Sequence, residues 1–321
     1  MKTFLGICSP LATKLLLSAT ICAFSVLNIN AQSKVYFTKD ISQEGLVKIY
    51  KALGKKAKGK NVAVKISTGE PGGHNFLDYN LIEPLVKEVK GTIVECTTAY
   101  GGRRSTAAEH MKVAEEHGFT KIAKVDIMDS EGDTILNING GKHLQGKNYV
   151  GSHFLNYDFT VVLSHFKGHT MAGFGGALKN ISIGIGSHNG KMWIHSAGKT
   201  LNRFGRAQQN DFLESMAEAA KSIVDHSKGN IIYISVANKL SIDCDCDSHP
   251  HDPELADIGI LASLDPVALD QACVDMVYNS PDPGKVHLIE RIESRNGVHT
   301  LEAAEELGIG SRKYTIIDID K

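Results

Sequence analysis

The sequence predicts an α/β protein in which a largely parallel sheet is flanked by helices. Short apolar runs rich in β-branched residues alternate along the chain with longer stretches of helical periodicity. This alternation is typical of strands joined by crossover helices, which makes neighbouring strands parallel. Two α/β lobes with the site between them are an alternative arrangement. In both arrangements we expect functional residues in the loops that follow the carboxyl ends of strands.

Seven segments are predicted as strands, because each is short, apolar and bounded by polar residues or glycine. They are residues 61–66, 92–96, 124–128, 159–163, 230–236, 258–262 and 314–319. Six helices are predicted at residues 79–89, 105–117, 212–226, 265–278, 286–294 and 301–307. Gly118 ends the second helix, Pro266 lies in the first turn of the fourth, and the first is predicted despite Pro84.

Residues 1–31 have the pattern of a secretory signal peptide. Lys2 and Lys14 precede an apolar run over residues 15–27, and Ala31 offers a small residue for cleavage. The run is shorter than the roughly 20 apolar residues that a membrane span needs. A buried N-terminal helix is the alternative. We therefore expect an exported protein, periplasmic or extracellular, with a mature α/β domain over residues 32–321.

The charge balance argues against one class of partner. The chain has 35 Lys and Arg residues and 36 Asp and Glu residues, with no basic stripe, so we expect no nucleic-acid binding. After the leader, no apolar run is long enough for a stable membrane span. The oligomeric state is left open by the composition.

Residues 163–180 are the richest in candidate site residues. A predicted buried strand ends there, and two histidines four residues apart, His165 and His169, follow it. The glycines after them allow a backbone to approach a ligand closely and offer N–H groups to an anion. A glycine-rich turn with surface histidines is the alternative. We predict that His169 and Lys179 are catalytic, and that a cofactor or anion is bound by Gly173, Gly175, Gly176, Lys179 and Asn180.

Cys244 and Cys246 form the second candidate site. Cysteines two residues apart pair poorly with each other, because disulfide geometry is demanding, but both can face one metal ion. Thiolate and imidazole ligands favour zinc or iron. Asp243, Asp245 and Asp247 would raise the thiol pKa values, a conflict that a bound metal removes. A redox-active dithiol, or pairing with another thiol, stays open. The candidate metal ligands are Cys244, Cys246, His165, His169, His195 and His249.

Arg103 and Arg104 are a third feature, at a predicted strand-to-helix turn after Tyr100 and two glycines. Guanidinium groups beside a helix N-terminus suit a carboxylate or a phosphate. We therefore expect Arg103 to hold an anionic substrate, with a solvated turn as the alternative.

These motifs resemble those of the domain of unknown function 362 family over most of the mature chain. The resemblance rests on residues 64–70, 100–103 with 117–119, 173–180, 244–246 and 257–270. Many relatives carry a ferredoxin-like insert with C-x₂-C-x₂-C motifs. This chain has no such motif, so the resemblance does not imply iron–sulfur electron transfer. The family name leaves the activity undefined.

A looser resemblance is to the nickel-pincer-dependent lactate racemases. It rests on His169, residues 172–176, Lys179 and His195. It implies an acid/base role for His169, a lysine at 179 that holds the pyridinium-derived cofactor, and nickel ligation by His195. Arg103 stands where that family has its other catalytic histidine, so two-base racemisation is not implied.

Together these features predict an exported metal-binding protein, and we expect an enzyme that acts on a small anionic molecule. Zinc or iron is the expected divalent metal, with nickel as an alternative. A non-catalytic periplasmic protein that binds a metal or ligand is the second hypothesis. The third is a racemase- or epimerase-like enzyme with a nickel-pincer-type cofactor.

Overall fold

The computed structural model describes residues 32–205 and 207–321. Gln32–Lys321 form one compact unit, and a single eight-stranded sheet runs through it. The alternative with two lobes therefore does not describe this chain. The predicted signal peptide, residues 1–31, lies outside the described residues. Within the two described ranges, no helix is long and apolar enough to cross a membrane.

The elements follow the predicted alternation. The strands are β1 (Ser33–Thr38), β2 (Val62–Lys65), β3 (Gly91–Glu95), β4 (Val125–Ile127), β5 (Asp133–Asn137), β6 (Lys147–Gly151), β7 (Phe159–His165), β8 (Lys167–His169), β9 (Gly173–Gly175), β10 (Ile231–Ala237), β11 (Gly259–Ser263) and β12 (Tyr314–Asp318). The α-helices are α1 (Gln43–Ala52), α2 (Tyr79–Glu88), α3 (Ala107–Glu116), α4 (Ala177–Ser182), α5 (His188–His195), α6 (Gln209–Ser227), α7 (Pro266–Tyr278), α8 (Val286–Ser294) and α9 (His299–Glu306). Every predicted strand and helix is present. The sequence missed β1, α1, α4, α5 and the hairpins β5–β6 and β8–β9.

The large sheet has the order β12-β1-β11-β10-β7-β2-β3-β4. Its pairings are parallel except for the two made by β11, which is antiparallel to both β1 and β10. The direction of β11 has a simple cause. Residues 238–258 join it to β10 without an α-helical crossover, so the chain turns back at the carboxyl end of β10. The predicted α/β class with a largely parallel sheet is confirmed.

Both faces of the sheet are covered by helices. Strand β7 is buried along its whole length, and its alternate side chains enter two separate cores. Val161 and Leu163 pack in the core under α1, α2 and α3, whereas Val162 packs in the core under α4, α6, α7, α8 and α9. The apolar run that predicted this strand is thus explained by burial on both sides.

Helix α2 tolerates Pro84 in its interior. Proline lacks the N–H group that would bond the carbonyl of Asn80. The side-chain amide of Gln43 donates to that carbonyl at 2.7 Å instead. The helix begins at Asp78, whose carboxylate accepts the backbone N–H of Asn80. The prediction of a helix across the proline is therefore confirmed.

Candidate functional site

A cavity of about 330 Å³ opens at the carboxyl edge of the sheet. Its wall comes from the ends of β2, β3 and β7, from the hairpin β8–β9, from α4 and from the loop after β10. The structure brings most of the predicted site residues to this edge. Those that line the cavity are His165, His169, Gly175, Gly176, Lys179, Asn180, His195, Cys244 and Cys246.

His169, Cys244 and Cys246 form a cluster in the cavity wall. One ring nitrogen and the two sulfur atoms all lie within 4.8 Å of one another. The structure joins the two sulfurs in a disulfide, with the Cα atoms 5.1 Å apart. The expectation that these cysteines do not pair with each other is thus not met. The chemistry open to the cluster depends on its oxidation state, because only the thiolates bind a metal as charged ligands.

Gly168 allows the loop that carries Cys244 and Cys246 to pack beside His169. It lies in β8 beside His169, and its N–H donates to the carbonyl of Ser241 at 2.9 Å. A Cβ atom at Gly168 would overlap the backbone of Ile242. A side chain here would therefore push the cysteine loop away from His169.

Asp245, between the two cysteines, is neutralised by two side chains from the end of β7 and from β8. It accepts from the ammonium of Lys167, and His165 Nδ1 lies 2.8 Å from its other oxygen. Burial would raise the pKa of Asp245, but the charges of Lys167 and His165 lower it overall. His165 Nε2 lies 2.6 Å from the carbonyl oxygen of Asn238. Both ring nitrogens of His165 thus face acceptors, so this predicted ligand offers no lone pair to a metal here.

His169 is held in one tautomer. Its Nδ1 accepts the backbone N–H groups of Met171 and Ala172, at 3.2 and 3.0 Å. The neutral ring therefore carries its proton on Nε2. Burial, reinforced by the charges of Lys179 and His195, lowers the pKa of His169 well below its usual range. His169 is thus a neutral hydrogen-bond donor, and it can ligate a metal only if these backbone contacts are given up.

His195 has the opposite tautomer. Its Nδ1 lies 2.7 Å from the carbonyl oxygen of Lys191, which leaves a lone pair on Nε2. The ring packs between Phe204 and Phe212, and burial lowers its pKa to about 4. His195 therefore suits metal ligation or proton acceptance. His249 does not share the site, because it is exposed, lies outside the cavity wall and contacts Ser248.

The cavity is strongly cationic. Five cationic side chains line it, against the carboxylates of Glu95 and Asp245. Most of the cations have partners within the described chain: Lys65 contacts Glu95, Lys167 contacts Asp245, and Lys191 donates to the carbonyl of Gly186. The five are Lys65, Arg104, Lys167, Lys179 and Lys191.

Arg104, rather than Arg103, faces the cavity. Arg103 is exposed and makes a two-pronged ion pair with Glu116, with both N–O distances 2.7 Å. Arg104 is buried, and it donates to Glu70 and to the hydroxyl of Tyr100. The expectation that Arg103 holds the substrate is therefore not supported by its position.

An internal carboxylate uses the two backbone N–H groups that directly follow the glycine loop. The first two N–H groups of α4, those of Ala177 and Leu178, bond the buried carboxylate of Asp270 at 2.7 and 2.9 Å. A Cβ atom at Gly176 would overlap the same carboxylate. These two N–H groups are therefore not available to a ligand, whereas Gly175, Gly176 and Lys179 still line the cavity. The amide of Asn180 is likewise used internally, since its Oδ1 accepts from Lys65 at 3.0 Å.

Gly173 serves packing rather than binding. It lies outside the cavity wall, and a Cβ atom there would approach the Cα atom of Gly297 at 3.0 Å. Sequence reasoning, in turn, missed Lys65 and chose Arg103 over Arg104. Lys65 had a signal, because a lysine inside an otherwise apolar strand must find a buried partner.

The chain was compared with known families, curated proteins and solved structures. The model of a family described as Domain of unknown function (DUF362) matches residues 62–275. No curated protein matches the chain. One similar solved structure is the lactate racemase apoprotein from Thermoanaerobacterium thermosaccharolyticum, with a TM-score of 0.42, 17% identity and coverage of 90% of this chain and 83% of that chain. A second, a protein from Thermotoga maritima, has a TM-score of 0.42, 13% identity and coverage of 82% and 58%. Likeness at these values says nothing about the chemistry of this chain.

Proposed function

The chain belongs to the family described as Domain of unknown function (DUF362), and we propose that its cavity is the active site of a metal-dependent enzyme that acts on a small organic anion. The observation that carries the proposal is the meeting of two cysteine sulfurs and an imidazole in a cationic cavity. Neither feature alone would distinguish an enzyme from a binding protein. Together they provide a binding site for a metal and a place for a substrate beside it.

The cysteines fit a soft divalent metal once they are reduced. Two thiolates balance the charge of one dication, and thiolates favour zinc, iron or nickel over magnesium or calcium. Cys246 N–H points to the sulfur of Cys244 at 3.3 Å, a contact that favours the thiolate. His169 supplies the imidazole within 4.8 Å of both sulfurs, and it can ligate a metal once its Nδ1 gives up the two backbone N–H contacts, whereas His195, with a lone pair on Nε2, is not part of that cluster. A bound dication would polarise a substrate oxygen.

The cations fit a small anionic substrate. A cavity of about 330 Å³ is at the lower end of the range for small-molecule sites. Lys65 and Lys167 are paired with carboxylates of the protein. Lys179 and Lys191 have no carboxylate partner among the described residues and can therefore face a ligand. The Nε2–H group of His169 can donate to a substrate oxygen without carrying a charge itself.

Metal analysis of the mature, reduced protein tests this proposal. We expect stoichiometric zinc or iron in the wild type, and its loss in the Cys244→Ser/Cys246→Ser double variant, because removal of two thiolates abolishes a soft-metal site. Cys273→Ala is the matched control, since it removes a buried thiol outside the cavity. A wild-type protein that stays metal-free after reduction and incubation with zinc, iron or nickel would overturn the proposal.

The same sample separates the alternatives. X-ray absorption spectroscopy that shows an exchangeable water on the metal supports the enzyme. Four protein ligands and no water favour the non-catalytic binding protein. Nickel together with a covalent addition on Lys179 favours the racemase-like enzyme. We also propose that the protein is exported, for which the test is an N-terminus near Gln32 in protein recovered outside the cytoplasm.

A further inference from the structure

We propose that Lys179 is a nucleophilic amine that forms an imine with the carbonyl carbon of a 2-oxo acid bound in the cavity. This deepens the proposed function, because it names a substrate class for the same cavity. It rests on that function for the anionic nature of the substrate but not for the presence of a metal.

The first argument is the isolation of the Lys179 ammonium. Lys65 has three hydrogen-bond partners, Lys167 contacts the carboxylate of Asp245, and Lys191 donates to a backbone carbonyl. Among the residues that the structure describes, the ammonium of Lys179 has no hydrogen-bond or ion-pair partner, although it lines the cavity. An unpartnered amine that faces a cavity is free to meet a ligand.

The second argument is the electrostatic environment of this amine. Burial and the positive charge of Lys167 lower the pKa of Lys179 to about 7, and Lys65 adds to the effect, although Asp245 and Glu95 partly oppose it. A large fraction of the side chain is therefore a neutral amine at neutral pH. A lysine made neutral by burial and by neighbouring cations is the kind that forms Schiff bases.

The third argument is the chemistry of the surrounding groups. Lys191 has one carbonyl partner, so its ammonium can still donate to a carboxylate. His169 offers its Nε2–H to a carbonyl oxygen. A molecule with a carboxylate next to a carbonyl, which is a 2-oxo acid, matches both groups within a small volume.

The reaction balances without an added oxidant or reductant. The lone pair of the Lys179 amine forms a bond to the carbonyl carbon, and the carbonyl oxygen takes a proton. The carbinolamine then loses that oxygen as water, which carries away the two hydrogens of the original amine. The product is a C=N bond between Lys179 and the former carbonyl carbon.

Reductive trapping tests the proposal, with pyruvate as the probe. The mature protein is incubated with pyruvate and sodium borohydride, and the intact mass and the tryptic peptides are then measured. Borohydride reduces an imine to a stable secondary amine, so we expect one 1-carboxyethyl group on the peptide that contains Lys179. Lys179→Arg should abolish the addition. The control Lys112→Arg, at an exposed lysine paired with Glu109, should keep it.

Two results would overturn the proposal. One is the absence of any adduct in wild-type protein that is folded by circular dichroism. The other is an adduct spread over exposed lysines. Peptide mapping of the wild type decides this even if the Lys179 variant fails to fold. Trapping is repeated in the Cys244→Ser/Cys246→Ser variant: an adduct there, with no metal in the wild type, supports the imine while the metal proposal fails.

Discussion

Asp245 changes what the neighbouring cysteines can do. From the sequence, three carboxylates around two thiols disfavour thiolates unless a metal is bound. In the structure, Lys167 and His165 neutralise Asp245, and His251 and Arg291 lie 2.7 and 3.6 Å from Asp243. The protein itself therefore supplies the cations that the sequence argument assigned to a metal.

Lys179 should destabilise the fold at neutral and acidic pH, as unpartnered groups in active sites do. Its pKa falls from 10.5 to about 7 on folding, so below pH 7 the native state must hold a partly buried charge beside other cations. Between these values the unfolded chain binds the extra proton, and wild-type stability rises with pH. Lys179→Met removes this cost. We expect the variant to melt higher than the wild type at pH 6 by about 2 °C or more.

The pH dependence of that difference is the decisive measurement. The gain in melting temperature should shrink as the pH rises from 7 towards 10.5, because the free energy needed to deprotonate the amine on folding then falls. The exposed Lys112→Met variant should show no such trend. An equal or lower melting temperature of Lys179→Met at pH 6 would contradict the prediction.

At the scale of elements, helix α4 depends on a side chain from α7. Asp270 is fully buried and bonds two N–H groups at the start of α4, which Gly176 precedes. Burial raises the pKa of this carboxyl to about 7. The contact fixes the helix that carries Lys179, so it positions the proposed nucleophile without touching a substrate.

Asp270→Ala should lower the free energy of unfolding by about 2–4 kcal/mol, because it leaves two buried N–H groups without acceptors at about 1–3 kcal/mol each. Chemical denaturation measures this change. Asp282→Ala is the control, since Asp282 also caps backbone N–H groups but is only partly buried, and it should cost about 1 kcal/mol or less. Equal effects of the two substitutions would contradict the burial argument.

At the scale of the whole molecule, the two ends of the described chain form the last two strands at one edge of the sheet. Strand β12 pairs in parallel with β1, and the carboxylate of Asp320 accepts from the hydroxyl of Thr38 at 2.6 Å. Without β12, strand β1, which contains the buried Val35 and Thr38, would become the edge strand of the sheet.

Deletion of residues 313–321 should therefore lower the melting temperature and produce aggregation that increases with protein concentration. Light scattering and thermal unfolding measure the two effects. Deletion of Lys321 alone should change neither, because its contact with Asp318 is an exposed ion pair. A truncated protein that stays monomeric with unchanged melting would show that the edge is protected in another way.

Sequence patterns predicted the elements whose signal is local. The apolar runs of β7 and β10 and the capped helix α7 follow from burial and backbone chemistry within a few residues. The missed hairpin β8–β9 has a glycine-rich sequence, and the cysteine loop packs against its Gly168. Local propensity could not reveal that contact.

The sequence by itself determined the fold class, the edge of the sheet where the site lies, and the residue types available there. Only the tertiary structure decided which of these groups are free. Asp245 meets Lys167 across 78 positions, and Asp270 meets Ala177 across 93. The contact of Asp270 uses the first N–H groups of α4, whereas Arg103 pairs with Glu116 and Lys179 has no partner among the described residues. The physical reason is that burial follows local periodicity, whereas charge pairing depends on which distant segments pack together.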